Sequence, residues 1–473
     1  MKDKQQTTFN IINFEKNKIE HLETIISIQH LNIKDIKKIN VEVSGEEADT
    51  INYDVNISTI KDINTEKDIL KIPIKYLIAG KKSNVVLNIL TQNNTNIKKI
   101  FQIEENIPSD LKKHLHDMKI IKTRTVKNRL YYFEIALAIE NTPTVFLLID
   151  NNGNIRSFSV NSTSYEILPR YKISNPLGQY ILNTEREPIF LKDKKHLITI
   201  ASNISRKTID DFILEIDLTN NKIVKAIDLT KILDVNRLIL LDTTYKRDIN
   251  DWLHPNSIFY NYDDNSIILS ARHQGIFKIK MDGTLQWILS PHKDWKEKYQ
   301  IFLLKAINSN GTILNKNIQD GIENYKTKED EFEWCWEQHS AKIMNKTNII
   351  VFDNGFKRNF NDKQIYSRAV IYKIDEKNMT VQQLWQYGKD LQCDFFSVCG
   401  GSIYNYENTL FVNSGIIIQD NEFTKSIIKE IDITTNKILF EIILTGKNII
   451  RMPTHNLFDR TTDARIVNID ELN

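Results

Sequence analysis

The feature that most constrains the fold is a recurring apolar strand that ends in aspartate. The copies are Phe146-Leu147-Leu148-Ile149-Asp150, Ile213-Leu214-Glu215-Ile216-Asp217, Phe277-Lys278-Ile279-Lys280-Met281-Asp282, Ile371-Tyr372-Lys373-Ile374-Asp375 and Ile428-Lys429-Glu430-Ile431-Asp432. Their aspartates are 67, 65, 93 and 57 residues apart. A polar turn and a second apolar strand follow each one. Aspartate suits the turn, because its carboxylate accepts hydrogen bonds from backbone amides just ahead. Repeats of ~40–60 residues with several strands and no amphipathic helix are the signature of a β-propeller. About 350 residues at about 60 per blade predict six blades.

Before the repeats, short runs such as Ile51-Asn52-Tyr53-Asp54-Val55-Asn56-Ile57 and Val85-Val86-Leu87-Asn88-Ile89-Leu90 alternate apolar and polar residues. That period of two reads as half-buried antiparallel strands. The expectation is an all-β chain with a small N-terminal β-sandwich over residues 1–115 and a six-bladed propeller over 116–473. The charged stretch Ser109–His114 reads as a helical connector at the boundary. The long interval between Asp282 and Asp375 holds an insertion, about residues 290–335, expected to cover one propeller face as a lid or rim.

Several function classes drop out. The chain has 63 Lys+Arg against 61 Asp+Glu, a net charge of +2, so no field steers it onto nucleic acid or anionic lipid. No apolar run approaches the ~18–20 residues that span a bilayer. The opening Met1-Lys2-Asp3-Lys4-Gln5-Gln6 lacks the apolar stretch of a secretory signal, which on its face predicts a cytoplasmic protein if the chain is complete. Three cysteines, Cys335, Cys393 and Cys399, cannot make a disulfide framework and are expected to be buried and inert. A Cys393–Cys399 bridge would need an oxidising compartment. Gly80-Lys81-Lys82-Ser83 lacks the upstream glycine of a phosphate-binding loop, and no Gly-x-Ser-x-Gly elbow is present. No cofactor is called for, and no His/carboxylate set has metal-ligand spacing.

Chemistry-bearing residues concentrate in two runs. The first is Asp251-Trp252-Leu253-His254-Pro255-Asn256-Ser257, then a strand–turn–strand, then Ser270-Ala271-Arg272-His273-Gln274-Gly275. The hairpin brings His254, Asn256 and Arg272 together. His254 and Asn256 share one face if the backbone is extended there. Such a set makes a donor-rich cradle for a tetrahedral oxyanion, or else a packed histidine beside an ion-paired arginine. The second run is Trp334-Cys335-Trp336-Glu337-Gln338-His339-Ser340-Ala341, in which His339 ends an aromatic loop and begins a strand. The tryptophans either pack or stack on an aromatic ligand. Alternation points His273 away from Arg272. Arg368 and Arg451 are read as ion-paired or solvated, His292 and Trp295 as parts of the insertion, and His455 as closing the last blade.

With Gly283-Thr284-Leu285-Gln286-Trp287-Ile288-Leu289, Gln338-His339-Ser340-Ala341, Phe352-Asp353-Asn354-Gly355 and Ser367-Arg368-Ala369, these runs resemble the bacterial arylsulfate sulfotransferase family over roughly residues 215–415. The resemblance implies sulfuryl transfer from a phenolic sulfate ester to another phenol, without a nucleotide donor. It implies that His339 is transiently sulfated in a ping-pong cycle. His254, Asn256 and Arg272 would hold the sulfate oxygens or assist the leaving phenoxide, with His254 as general acid. It also implies a periplasmic location and a homodimer. The chain departs from the family in having no histidine between His116 and His196, where an early-blade active-site histidine is expected. A non-catalytic ligand- or partner-binding propeller is the alternative, and a hydrolase using water as acceptor is a third reading.

Overall fold

The computed structural model describes residues 10–16, 22–29, 31, 33–57, 60, 62–64, 69–107, 117–122, 129–136, 144–161, 172–175, 178–183, 188–237, 251–360, 365–418, 423–447 and 460–468. The chain is all-β, with seven sheets among these residues. Two antiparallel four-stranded sheets come from residues 10–104. Their alternating strands turn Val41, Ile72, Val85 and Leu87 into one apolar cluster. That cluster continues into Leu147, Phe158, Phe411 and Ile442 of the later sheets. The contact is also polar: Arg156, with no exposed surface, pairs with Asp150 at 2.9 Å and donates to the backbone carbonyl of Asp49 at 2.6 Å. The Ser109–His114 connector and the 115/116 boundary lie outside the described residues.

Five sheets follow. In each, the strand carrying or leading to a repeat aspartate pairs forward with the next strand: Thr144–Asp150 with Ile155–Asn161, Phe212–Asp217 with Lys222–Asp228, Gly275–Lys280 with Leu285–Leu289, Arg368–Asp375 with Thr380–Tyr387, and Phe423–Asp432 with Ile438–Lys447. The aspartates do what the sequence leads one to expect. Asp150, Asp217, Asp282, Asp375 and Asp432 each accept from backbone amides two to four residues ahead at 2.8–3.1 Å. One repeat therefore specifies one sheet. The expected six sheets are not reached among the described residues, which supply five.

The chain ends tie this array together. Asp117–Lys122 adds to the edge of the last sheet through Ile438–Lys447, and Arg460–Asn468 pairs with Arg129–Ala136 of the first. Of the two expected forms, lid or rim, the insertion takes the second: it packs along the sheets rather than hanging over them. Trp295, Tyr299, Leu303, Leu304, Leu314, Ile318, Phe332 and Trp334 are all buried, and Lys305–Ile307 forms a parallel edge strand on Thr380–Tyr387. Its aromatic content is the reason: burying each large apolar side chain is worth roughly 1.5–3 kcal/mol, so the segment is drawn between sheets rather than over them.

Candidate functional site

Two adjacent sheets bring the site together. Pro255–Asn261 is an edge strand of the first and His339–Ile343 an edge strand of the second, and these two strands lie against each other. Ahead of the first, Trp252 and Leu253 are fully buried and fix the chain by apolar packing. His254 then takes φ +48°, although a residue before proline is normally extended. That left-handed turn curls His254 back, and its Nδ1 makes a short hydrogen bond to Asp251 Oδ2. The hairpin returns as expected: the Arg272 amide donates to the His254 carbonyl at 2.9 Å.

Asn256 is placed by an irregularity. Register passes from Pro255↔Ala271 to Ser257↔Ser270, which leaves Asn256 as the extra residue of a β-bulge. Its amide donates to the Gln338 carbonyl at 2.6 Å, across to the second sheet. The extended backbone expected to align His254 and Asn256 is thus replaced by a left-handed residue and a bulge. Asn256 is near His339 because it bonds the residue preceding it.

His339 sits in a different frame. Its Nδ1 is 2.7 Å from Asn354 Oδ1, while Asn354 Nδ2 donates to the carbonyls of Ser397 and Gly400, each at 2.9 Å. Both amide hydrogens of Asn354 are thereby directed at carbonyls, so its oxygen must accept from His339. The proton is on Nδ1, and Nε2 carries the lone pair. The Gly400 amide, 3.3 Å from Nε2, donates to that lone pair. Gly400 and Gly401 have φ +70° and +99°, and a Cβ on Gly401 would meet the Phe352 ring at 2.5 Å. Glycine at 401 is therefore what lets the turn pass the Phe352 ring.

Arg272 joins the two limbs. Its Nε pairs with Glu337 and its Nη2 donates to the Val398 carbonyl at 3.4 Å, one turn from Gly400. Among the described residues Nη1 has no hydrogen-bond partner. Burial opposes the guanidinium charge, but Glu337, Cys399 and Asp251 outweigh it and hold the group charged above its ordinary value. A fixed cation with an open fork beside a neutral imidazole lone pair suits a tetrahedral anion that undergoes attack.

The loop leading to His339 is secured by buried charge. Glu333 meets Arg358, Arg368 and Lys389, and Asp353 pairs with Arg358 at 2.8 Å and Arg368 at 2.7 Å. The other Asp353 oxygen accepts from the Trp336 amide, and Arg358 and Arg368 both donate to the Trp334 carbonyl. Burial would raise the Glu333 carboxyl, yet the three cations take it down to about 2. Gln338, also fully buried, donates to the carbonyls of Ala271 and Gly275 and so locks the two sheets in register.

All four expected site residues, His254, Asn256, Arg272 and His339, therefore meet. His273 does not point away. Strand alternation stops at Ala271, and the following turn brings the His273 ring within 5.1 Å of the His254 ring, between centroids, and its Nδ1 within 3.7 Å of Glu337. Trp334 and Trp336 are buried packing residues. Arg368 is ion-paired, as its ordinary reading holds, and His292 bonds the Leu304 carbonyl within the insertion. Arg451 and His455 lie outside the described residues. Of the cysteines only Cys335 is buried; Cys393 is exposed, Cys399 is intermediate, and all three are free thiols. Sequence reading gave no role to Asp251, Glu337, Asn354 or Gly400. Asp251 and Asn354 stood in its matching stretches, but their pairing depends on turns that no spacing rule foretells.

A family model described as Arylsulfotransferase (ASST) matches residues 181–451. Arylsulfate sulfotransferase AssT of Escherichia coli O6:H1 is 34% identical over 315 residues, 58% of this chain and 50% of that protein. Arylsulfate sulfotransferase AssT of Lelliottia amnigena is 37% identical over 330 residues, 60% and 54% respectively. The chain spans about half the length of the curated relatives it matches. The WD40 domain of SCAP from fission yeast aligns over 98% of this chain and 99% of its own at 8% identity with a TM-score of 0.23, too slight a likeness to carry an argument.

Proposed function

The chain belongs to the arylsulfotransferase family, and from that premise we propose that it moves a sulfuryl group from a phenolic sulfate ester to an acceptor phenol through a sulfo-histidine. The observation that carries the reading is the forced tautomer of His339: Asn354 holds the proton on Nδ1, so the lone pair is on Nε2, which attacks once it gives up the 3.3 Å bond from the Gly400 amide. Nε2 attacks sulfur, the bond from sulfur to the aryl oxygen breaks, and the departing phenoxide takes a proton from His254. Arg272 bears the charge on the sulfuryl oxygens, and Asn256 keeps the two limbs at working distance. In the second half, the acceptor phenol returns a proton to His254 and attacks the same sulfur; the N–S bond breaks and His339 is restored. Sulfuryl transfer, like phosphoryl transfer, asks for in-line placement and charge stabilisation above all.

The finer architecture belongs to the same proposal: an N-terminal β-sandwich over 1–115 and a propeller over 116–473. Two facing N-terminal sheets, the five repeat-built sheets and the paired chain ends support it, and the count of six blades rests on the repeat arithmetic. The homodimer and the periplasmic location are carried by the family resemblance.

The test is nitrophenolate release from 4-nitrophenyl sulfate, with and without phenol. Sustained release that needs phenol and vanishes in His339→Ala supports the transferase. Sustained release without acceptor would make it a hydrolase. No release from folded protein in either condition would favour a binding role.

A further inference from the structure

Asp251, His254 and His273 form a cluster that phenol chemistry does not fully use. One ligand-capable atom from each lies within 4.8 Å of the others. His273 is 1% exposed, and its Nδ1 faces Glu337 at 3.7 Å. His254 and Asp251 are half-buried and in direct contact. We infer that these three side chains bind a divalent transition metal of the zinc class. The donor set, two imidazoles and a carboxylate, is the one zinc takes in open tripodal sites, with the fourth position left to solvent. A carboxylate behind a metal-bound imidazole is the usual outer support, and Glu337 lies on that side of His273, 3.7 Å from Nδ1. The left-handed turn at His254 and the turn at Arg272-His273-Gln274 bring together side chains from both ends of one hairpin, so an ion needs only side-chain adjustment to draw them in.

The charge count permits the ion. Glu337 and Asp251 are two carboxylates set against the single Arg272 guanidinium, so a cation adds to a cluster that carries net negative charge when His254 and His273 are neutral. The ion would displace the proton shared between Asp251 and His254. Under the transferase reading this removes the group that protonates the departing phenoxide, so the metal acts as an inhibitor. That consequence rests on the proposed function, whereas binding itself does not.

Cobalt serves as the probe, because tetrahedral Co²⁺ absorbs visible light. The chelator-treated full chain is titrated with Co²⁺ and then displaced with Zn²⁺. One equivalent is expected, with visible bands that Zn²⁺ abolishes. Asp251→Asn and His273→Gln should each weaken binding by more than the ~10–100-fold that loss of an outer-shell partner costs. His196→Gln, in the surface Asp193–His196 pair, should leave it unchanged. Absence of visible bands in the wild-type chain overturns the site, and so does binding that both variants retain. Nitrophenolate release is measured alongside, with Zn²⁺ and then with chelator. An active enzyme that binds no metal overturns this inference alone; a metal-binding protein without activity overturns the transferase and leaves the site standing.

Discussion

His254 and His339 open neighbouring sheets of one chain, yet different groups stand behind them. A carboxylate, Asp251, meets Nδ1 of His254; an amide oxygen, from Asn354, meets Nδ1 of His339. A carboxylate favours the imidazolium and so suits a proton donor, whereas a neutral acceptor fixes a tautomer without inviting a second proton. Their anchors differ too. Trp252 and Leu253 hold the first limb by apolar burial, while the second hangs on Glu333, Asp353, Arg358 and Arg368. Two identical side chains thus sit in unlike hydrogen-bonding environments, each set by one neighbouring group.

The largest expected effect falls at His339, the proposed nucleophile. His339→Ala should lower turnover by about 10⁴-fold or more, with the loss alike for good and poor leaving groups. His254→Ala should behave otherwise: a proton donor matters most where the departing phenoxide is basic. The expected loss is ~10²–10⁴-fold with phenyl sulfate and much less with 4-nitrophenyl sulfate. Equal losses with both donors would deny His254 the acid role.

Acid sharpens the contrast between the anchors. The Glu333 carboxyl sits at about 2 in the fold against 4.5 for an ordinary glutamate. Its folded value is depressed, so its contribution is full above 4.5 and is lost as pH falls toward about 2. The size is about 3 kcal/mol, from the linkage relation. Urea unfolding at pH 5 and pH 3 should show the loss, and Glu333→Gln should blunt it. Smaller again is the exchange of supports. Asp251→Asn and Asn354→Asp should each cost about 1–2 kcal/mol in kcat/KM, as charged hydrogen-bond partners are removed or introduced. Asp251→Asn should hurt basic leaving groups most, and Asn354→Asp should hurt all donors equally. Parallel responses to the two variants would dissolve the distinction between the histidines.

Much of this was legible in the sequence. The aspartate repeat located five sheets, because a turn carboxylate bonding backbone amides is a local event that spacing records. His254 and Arg272 were legible for a similar reason: a hairpin must return alongside itself. His339, on another sheet, stood out only as the end of the aromatic loop and through the family resemblance. What escaped was produced by backbone departures from strand geometry. The left-handed His254, the bulge at Asn256 and the turn holding His273 overturn alternation over one or two residues each. The insertion, read as a lid or rim, packs into the core because its aromatics had more to gain from burial.

The central claim is that Nε2 of His339 becomes the sulfuryl carrier. Brief exposure of the protein to 4-nitrophenyl sulfate without acceptor, followed by peptide mass spectrometry, reads it directly. A sulfuryl adduct on His339 is expected, one that phenol discharges and that is absent from His339→Ala. An adduct on another residue, or phenol-dependent turnover with no adduct on His339, would contradict it.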